Sequence, residues 1–364
     1  MTAPTPRPGI LEIAPYVPGG SKAEGEGDIH KLSSNESALG PSPAAIDAYN
    51  NEGKDLHLYP DGSSAALREK IAELHGLDAR RIVCGAGSDE ILQMLTRAYT
   101  GPENNIVQSD HGFLVYALAA KSCGAEVRFA PEKDLTADVD AMAALADDKT
   151  TLCFIANPNN PTGSYVSDAE IRRLREKLPD HVILVIDSAY AEYMEEHDYA
   201  SGEKLVEEFG NVVMTRTFSK IYGLGGIRLG WGYFPEAIAD VINRIRGPFN
   251  VSAPAIAAGV AALGDQKFVA ENKAFNKAER DRLSQAIGGL GLEFKKSFGN
   301  FVLVRFPDTS GQTAKETQDF LRNNGVIVRE MGAYKLGNWL RISIGSRKSN
   351  DRLLELLTQK FAKG

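Results

Sequence analysis

The sequence is poor in the residues that build metal centres and disulfide frameworks. It has only three cysteines, Cys84, Cys123 and Cys153, an odd number without the paired spacing of a zinc site or a stapled secreted domain. Each sits in an apolar or helical stretch where a small hydrophobe serves, so all three are expected to be reduced core residues. The six histidines are scattered, and no His-x-x-x-His or His-x-x-Glu pair offers ligands on one helix face; no metal is expected. No uninterrupted apolar run reaches the ~18 residues a membrane helix needs, and the opening MTAPTPRPG lacks an apolar signal core. A cytoplasmic location is therefore expected, with no membrane partner. Nor is there a basic block: 41 Lys and Arg stand against 48 Asp and Glu, a formal net charge of −7, so nucleic acid is not expected as a partner.

What the chain does have is length and alternation. Its 364 residues exceed one ordinary core and suit two. Residues 1–40 are rich in Pro, Gly and Ser and read as an arm over the surface that joins the smaller unit. A first helix is expected near Pro43. Helices near 64–75, from 88 and near 113–122 alternate with strands at 81–84, 106–108 and 125–129; further strands are expected at 152–156, 182–186 and 212–217. Ser167 and Glu170 are spaced as a capping box. Apolar strands alternating with helices imply a mostly parallel sheet covered on both faces, a large α/β unit over 41–253. The glycine-rich run 223–232 reads as loop. Residues 254–289 read as helical, followed by strands near 292–296, 301–306, 326–329 and 339–344, a smaller α/β unit over 254–364.

Four segments carry chemistry. In 215–231, TRTFSKIYGLGGIRLGW, a strand delivers Thr217, Ser219 and Lys220 to its end, and Arg228 follows eight residues after the lysine; two hydroxyls and a guanidinium can surround a phosphate. A lysine beside them, partly withdrawn from water, can act as an amine nucleophile toward an aldehyde. In VILVIDSAY, Asp187 ends a buried strand, where ligands of open sheets bind. A buried carboxylate calls for a cation, and a protonated pyridine nitrogen would serve; Tyr190 could reach the same ligand. In ANPNNPTG, two Asn-Pro steps hold a loop from which Asn160 can donate to a phenolic oxygen. In CGAGSDE, the backbone near Ser88 and Asp89 opens a helix and offers an anion site. Taken singly, each also has a plain reading: a surface lysine, a helix-capping aspartate, a packing tyrosine, a turn. CGAGSDE also begins like a dinucleotide fingerprint, although Glu90 stands at the third glycine, and this keeps a nicotinamide oxidoreductase as an alternative.

In their shared order, NPNNPTG, D-x-A-Y, S-K-(x7)-R and the GAGSDE loop resemble the fold type I pyridoxal-phosphate aminotransferases over nearly the whole chain. Within that family, ILEIAPYVPG, KLSSNE, LYPDG, DHGFLVY and VIVREMGAYKLGNWLRISIG look most like the histidinol-phosphate branch; the branch acting on aromatic amino acids shares much of them and stays open as an alternative. The resemblance implies a mainly seven-stranded large sheet, a smaller α/β unit and a homodimer. It implies a ping-pong exchange between histidinol phosphate and 2-oxoglutarate, a step of histidine biosynthesis. Lys220 would hold pyridoxal 5'-phosphate as an internal aldimine and shuttle the proton. Asp187 would keep the ring nitrogen protonated, Tyr190 and Asn160 would bond its phenolic oxygen, and Phe113 would stack on the ring. Ser88, Asp89, Thr217, Ser219 and Arg228 would hold its phosphate, with Tyr59 reaching the phosphate of the neighbouring subunit. Substrate would meet Tyr16, Asn35, Arg329 and Arg341, two guanidiniums suiting a phosphate ester. Phe113 as a plain core residue, Tyr59 as a local turn residue and Arg329 as a solvated strand end are the competing readings. The chain departs from the family pattern at Ser188, where Glu is usual, at Ser37-Ala38, where Asn-Pro is usual, and at Gly225, where Ala is common; the first two bear on loop stiffness or substrate preference more than on reaction type.

Overall fold

The computed structural model describes residue 6, residues 10–13 and residues 28–362. Tyr16 lies outside the described residues. The large sheet has the strand order β2 (Ile82–Gly85), β10 (Gly230–Tyr233), β9 (Val212–Thr217), β8 (Ile183–Asp187), β7 (Thr150–Ala156), β3 (Asn105–Ser109) and β4 (Glu126–Ala130). β10 runs antiparallel to both its neighbours, and the pairs from β9 to β4 are parallel. A short ribbon of β5 (Glu132–Lys133) and β6 (Thr136–Ala137) follows β4.

Alternation along the central strands explains why both faces are covered. Leu184 and Ile186 of β8 join one apolar core while Ile183 and Val185 join the other, as the two-residue period of a strand requires. Helices α1 (Pro43–Asn51), α2 (Ala65–His75), α5 (Val139–Ala144), α6 (Asp168–Lys177), α7 (Glu203–Glu208) and α9 (Ala253–Gly264) bury residues in the first core; α3 (Ser88–Tyr99), α4 (Leu114–Ser122) and α8 (Glu236–Ile245) bury theirs in the second. Each fully buried Val, Leu or Ile contributes about 1.5–3 kcal/mol relative to exposure, which lets this sheet hold a carboxylate out of water at the end of β8. Cys84 and Cys153 are buried in the first core and Cys123 is half-buried.

The helix starts follow local chemistry. Ser42 accepts from the Ala45 N–H, with Pro43 in the first turn of α1, and Ser167 and Glu170 make the expected capping box on α6. Two features differ from the sequence reading. The glycine-rich run is not all loop: Gly230 and Gly232 belong to β10, beside buried Trp231 and Tyr233. A Cβ on Gly230 would lie 2.2 Å from the Ser88 nitrogen, so this glycine marks a close approach within a strand. The helical stretch after 253 is also two helices, α9 and α10 (Gln266–Gly289), separated where Asp265 caps α10 by accepting from the Phe268 N–H. Because α9 packs on α1 and α2, the first core continues past residue 253.

The second sheet has the order β1 (His30–Leu32), β13 (Val326–Glu330), β14 (Trp339–Ser343), β12 (Phe301–Arg305) and β11 (Glu293–Lys295). β1 comes from the N-terminal stretch and pairs parallel with β13; the other pairs are antiparallel. α10, α11 (Ala314–Asn323) and α12 (Arg347–Phe361) cover it over a separate core that includes Leu283, Leu321 and Leu353.

Candidate active site

β7, β8 and β9 end at one edge of the large sheet, with Ala156 opposite Asp187 and Asp187 opposite Thr215 in the ladder. A cleft of about 320 Å³ lies over that edge and is closed by residues of the second sheet, the position where open α/β sheets bind ligands. Asn35, Ser88, Asp89, Phe113, Asn160, Asp187, Tyr190, Thr217, Ser219, Lys220, Arg228, Arg329 and Arg341 all line it. Tyr59 does not. It is 83 % exposed and stacks on Phe249, ring centroids 4.6 Å apart.

At one end the cleft is built for an oxyanion. Gly87, at φ 89, turns the chain from β2 into α3, whose first N–H groups lack helical acceptors and carry the positive end of the helix dipole. Arg228 donates to Asp89 Oδ1 at 2.7 Å, to the Gly225 carbonyl at 3.1 Å and to Ser219 Oγ at 3.4 Å. The Ser219 N–H donates to Thr217 Oγ1 at 3.1 Å. The Arg228–Asp89 side chains are 48 % and 39 % exposed, and such a pair is worth only about 0–1 kcal/mol. An entering phosphate can recruit that guanidinium cheaply. The dinucleotide alternative fails at the same loop: Glu90 accepts from the Ala86 N–H at 2.6 Å and from the Asn250 amide at 2.8 Å, so a carboxylate braces the turn where a fingerprint glycine would pack.

At the centre, Asp187 is 5 % exposed. Its Oδ2 accepts from the Tyr116 hydroxyl at 2.7 Å and its Oδ1 from Thr215 Oγ1 at 3.3 Å. Burial pushes its carboxyl above the usual range, against the pull of those bonds. Among the described residues no cation forms an ion pair with it, Lys220 acting on it only at longer range, so this carboxylate has room for a cationic ring nitrogen. Beside it Lys220 has its amine lowered to about 8, by burial first and then by Arg341, with Glu36 opposing; the amine stands 5.8 Å from the centre of the Tyr190 ring.

The Asn-Pro loop divides its work. Asn157 bonds Val166 through both ends of its amide, each at 3.0 Å, and Asn159 donates to the His111 carbonyl and to Thr162. Asn160 faces the cleft and its Oδ1 accepts from Arg341, leaving its NH2 as the donor for a ligand. Asn35, expected at the substrate, commits its amide to Tyr190 Oη at 2.9 Å and Ser343 Oγ at 3.0 Å. Arg329 lies opposite Arg341 in the β13–β14 ladder. The sequence reading missed Tyr116, Thr215 and Tyr334. Strand alternation from Thr217 points to Thr215, and one helical turn from Phe113 points to Tyr116; nothing local marks Tyr334, which reaches the cleft from a 3-10 turn.

A cradle for phosphate, a buried carboxylate without an ion-pair partner, and an amine of lowered basicity in the same cleft fit pyridoxal phosphate. The comparisons agree. Residues 27–357 match the family model described as aminotransferase class I and II. The histidinol-phosphate aminotransferase of Paramagnetospirillum magneticum is 52% identical over 359 residues, 99% of each chain, and that of Maricaulis maris is 51% identical over 353 residues, 97% of this chain and 98% of the other. The crystal structure of histidinol-phosphate aminotransferase from Sinorhizobium meliloti in complex with pyridoxal-5'-phosphate superposes with a TM-score of 0.87 at 28% identity, covering 92% of this chain and 91% of that one. With cleft, fold and full-length similarity in accord, the chain belongs to the class I and II aminotransferases.

Proposed function

We propose that this aminotransferase moves the amino group of histidinol phosphate to 2-oxoglutarate, with Lys220 as the residue that carries pyridoxal phosphate. The donor carbon loses its amine and two electrons and becomes a ketone; the 2-oxo carbon gains both and becomes glutamate. The observation that carries the choice of substrate is the pair Arg329 and Arg341, adjacent across β13 and β14 at one wall of the cleft. Two guanidiniums match the charge of a phosphate ester, and one suffices for the carboxylate of the acceptor. The near-full-length similarity to enzymes named for histidinol phosphate supports the same reading.

Pyridoxal phosphate, when bound, supplies the aldehyde that exchanges amines and a ring that takes up electron density. Ser88 and Asp89 N–H groups, Thr217, Ser219 and Arg228 would hold its phosphate, Asp187 its ring nitrogen, and Asn160 and Tyr190 its phenolic oxygen, with Phe113 against the ring. A Lys220 amine lowered to about 8 spends part of its time unprotonated near neutral pH, so Nζ can take a proton from the substrate carbon and return it. Tyr59, with exposed Leu56 and Leu58 beside it, would reach the phosphate of a second copy in a homodimer.

Single-turnover amino transfer from histidinol phosphate, phenylalanine, tyrosine and aspartate tests the substrate. The fastest transfer is expected from histidinol phosphate; faster transfer from phenylalanine would move the chain to the aromatic amino acid branch. Mixing Lys220→Ala with Tyr59→Phe subunits tests the shared site. Hybrid dimers should contain one intact site and regain activity, whereas hybrids no more active than either parent would confine Tyr59 to its own chain.

A further inference from the structure

We propose that Asn35 and Ser343 form a relay that aims the hydroxyl proton of Tyr190 into the cleft. Asn35 is 1 % exposed and sits at φ 55, a left-handed conformation that Asn tolerates better than most residues. Its backbone N–H donates to Ser343 Oγ at 2.7 Å. The serine oxygen is thus an acceptor on that side, and its own proton goes to Asn35 Oδ1 at 3.0 Å. An amide oxygen fixed as acceptor there puts the amide NH2 on the other side, where it donates to Tyr190 Oη at 2.9 Å. The structure thus sets Oδ1 on Ser343 and the NH2 on Tyr190. With the tyrosine oxygen accepting from Asn35, its O–H is directed away from Asn35, toward the cleft that Tyr190 lines. The Asn35 carbonyl accepts from Asn300 at 2.9 Å, which anchors the relay to the start of β12.

The relay rests on the cofactor reading above and makes Asn35 and Ser343 positioning residues for it. A donor aimed at a phenolic oxygen stabilises the anionic form of that oxygen. The relay thereby lowers the pH at which the visible band of the bound cofactor changes. The charged and titratable groups facing Tyr190 are Lys220, Arg341, Asp187, Tyr334 and Tyr193; all are retained in the variants.

The test is a pH titration of the visible band of the holoenzyme. Asn35→Asp keeps size and backbone tolerance but can only accept, so Tyr190 must turn its proton away from the cleft; the midpoint should rise by about one to two units. Ser343→Ala removes the lock without adding charge, and the midpoint should rise by a smaller amount. Tyr190→Phe should raise it too, and adding either variant to Tyr190→Phe should shift it no further. Additive shifts in the double variants would overturn the relay, since a through-space charge or loosened packing acts with or without the hydroxyl. An unchanged midpoint in Ser343→Ala would overturn it as well, and this variant carries the test if Asn35→Asp does not fold. A wild-type protein showing no visible band with pyridoxal phosphate would instead overturn the cofactor reading on which the relay stands.

Discussion

β9 and β14 reach the cleft from opposite sheets, and each presents two side chains spaced by one strand period: Thr215 and Thr217 on one, Arg341 and Ser343 on the other. β9 is buried at every residue between β8 and β10, and its side chains bond Asp187 and the phosphate turn directly. β14 acts at the cleft wall through Arg341, which also bonds Asn160, and at one remove through Ser343 on Asn35 and then Tyr190. The large sheet thus supplies reactive groups on a rigid frame, while the small sheet adjusts the groups around them. Removing a reactive group carried by the first should stop the reaction; substitutions on the second should change what is bound or at what pH.

Lys220→Ala breaks the large-sheet side and carries the largest expected effect. It removes both the amine and the proton carrier, and a positioned acid–base group alone is worth ~10²–10⁴ in rate. Single-turnover transfer should fall at least that far, and near-normal turnover would remove Lys220 from the chemistry. Arg329→Ala tests the small-sheet side. Losing a charge-assisted contact of ~1.5–3 kcal/mol should raise KM for histidinol phosphate by about 10–100-fold, with much less change for phenylalanine, which has no phosphate. Equal losses on both would mean that Arg329 does not read the phosphate.

The same contrast explains what could be read from the sequence. The mostly parallel architecture and six of its strands were legible because apolar strands and capped helices alternate, the count of seven coming only with the family resemblance; the cleft edge was legible because VILVIDSAY and TRTFSK end buried strands in polar groups. β10 was hidden because its glycines, read as loop, serve the close approach of Gly230 to Ser88. The small-sheet contributions were harder. Asn35 and Ser343 are 308 positions apart, and neither segment alone says that their bonds end on Tyr190. A motif is visible when its members share one strand and touch one ligand; a relay across two sheets has no local spacing to betray it.

The smallest effects ask whether a place on the central strand is enough. The Asp187 carboxyl is raised by burial and drawn back by bonds from Tyr116, from Thr215 and from the Ala189 backbone. Because its folded pKa lies above the ordinary value of about 3.9, the protein without cofactor is favoured at low pH and loses that stability as pH rises through the elevated pKa. A cationic ring nitrogen beside the carboxylate cancels the penalty, so the gain in Tm on adding pyridoxal phosphate should grow with pH across that window. Tyr116→Phe removes the 2.7 Å donor and should move the window upward by about one unit. Thr215→Val removes a 3.3 Å contact, beyond the usual range for O–H···O bonds, and should move it by less than half as much. Melting with and without cofactor from acid to mild alkali measures both. If Thr215→Val moves the window as far as Tyr116→Phe, membership of β9 outweighs bond length and the large sheet acts as one rigid electrostatic unit. If only Tyr116→Phe moves it, a helix residue stacked on Phe154 at 4.7 Å tunes the carboxylate more than its own neighbour in the ladder does.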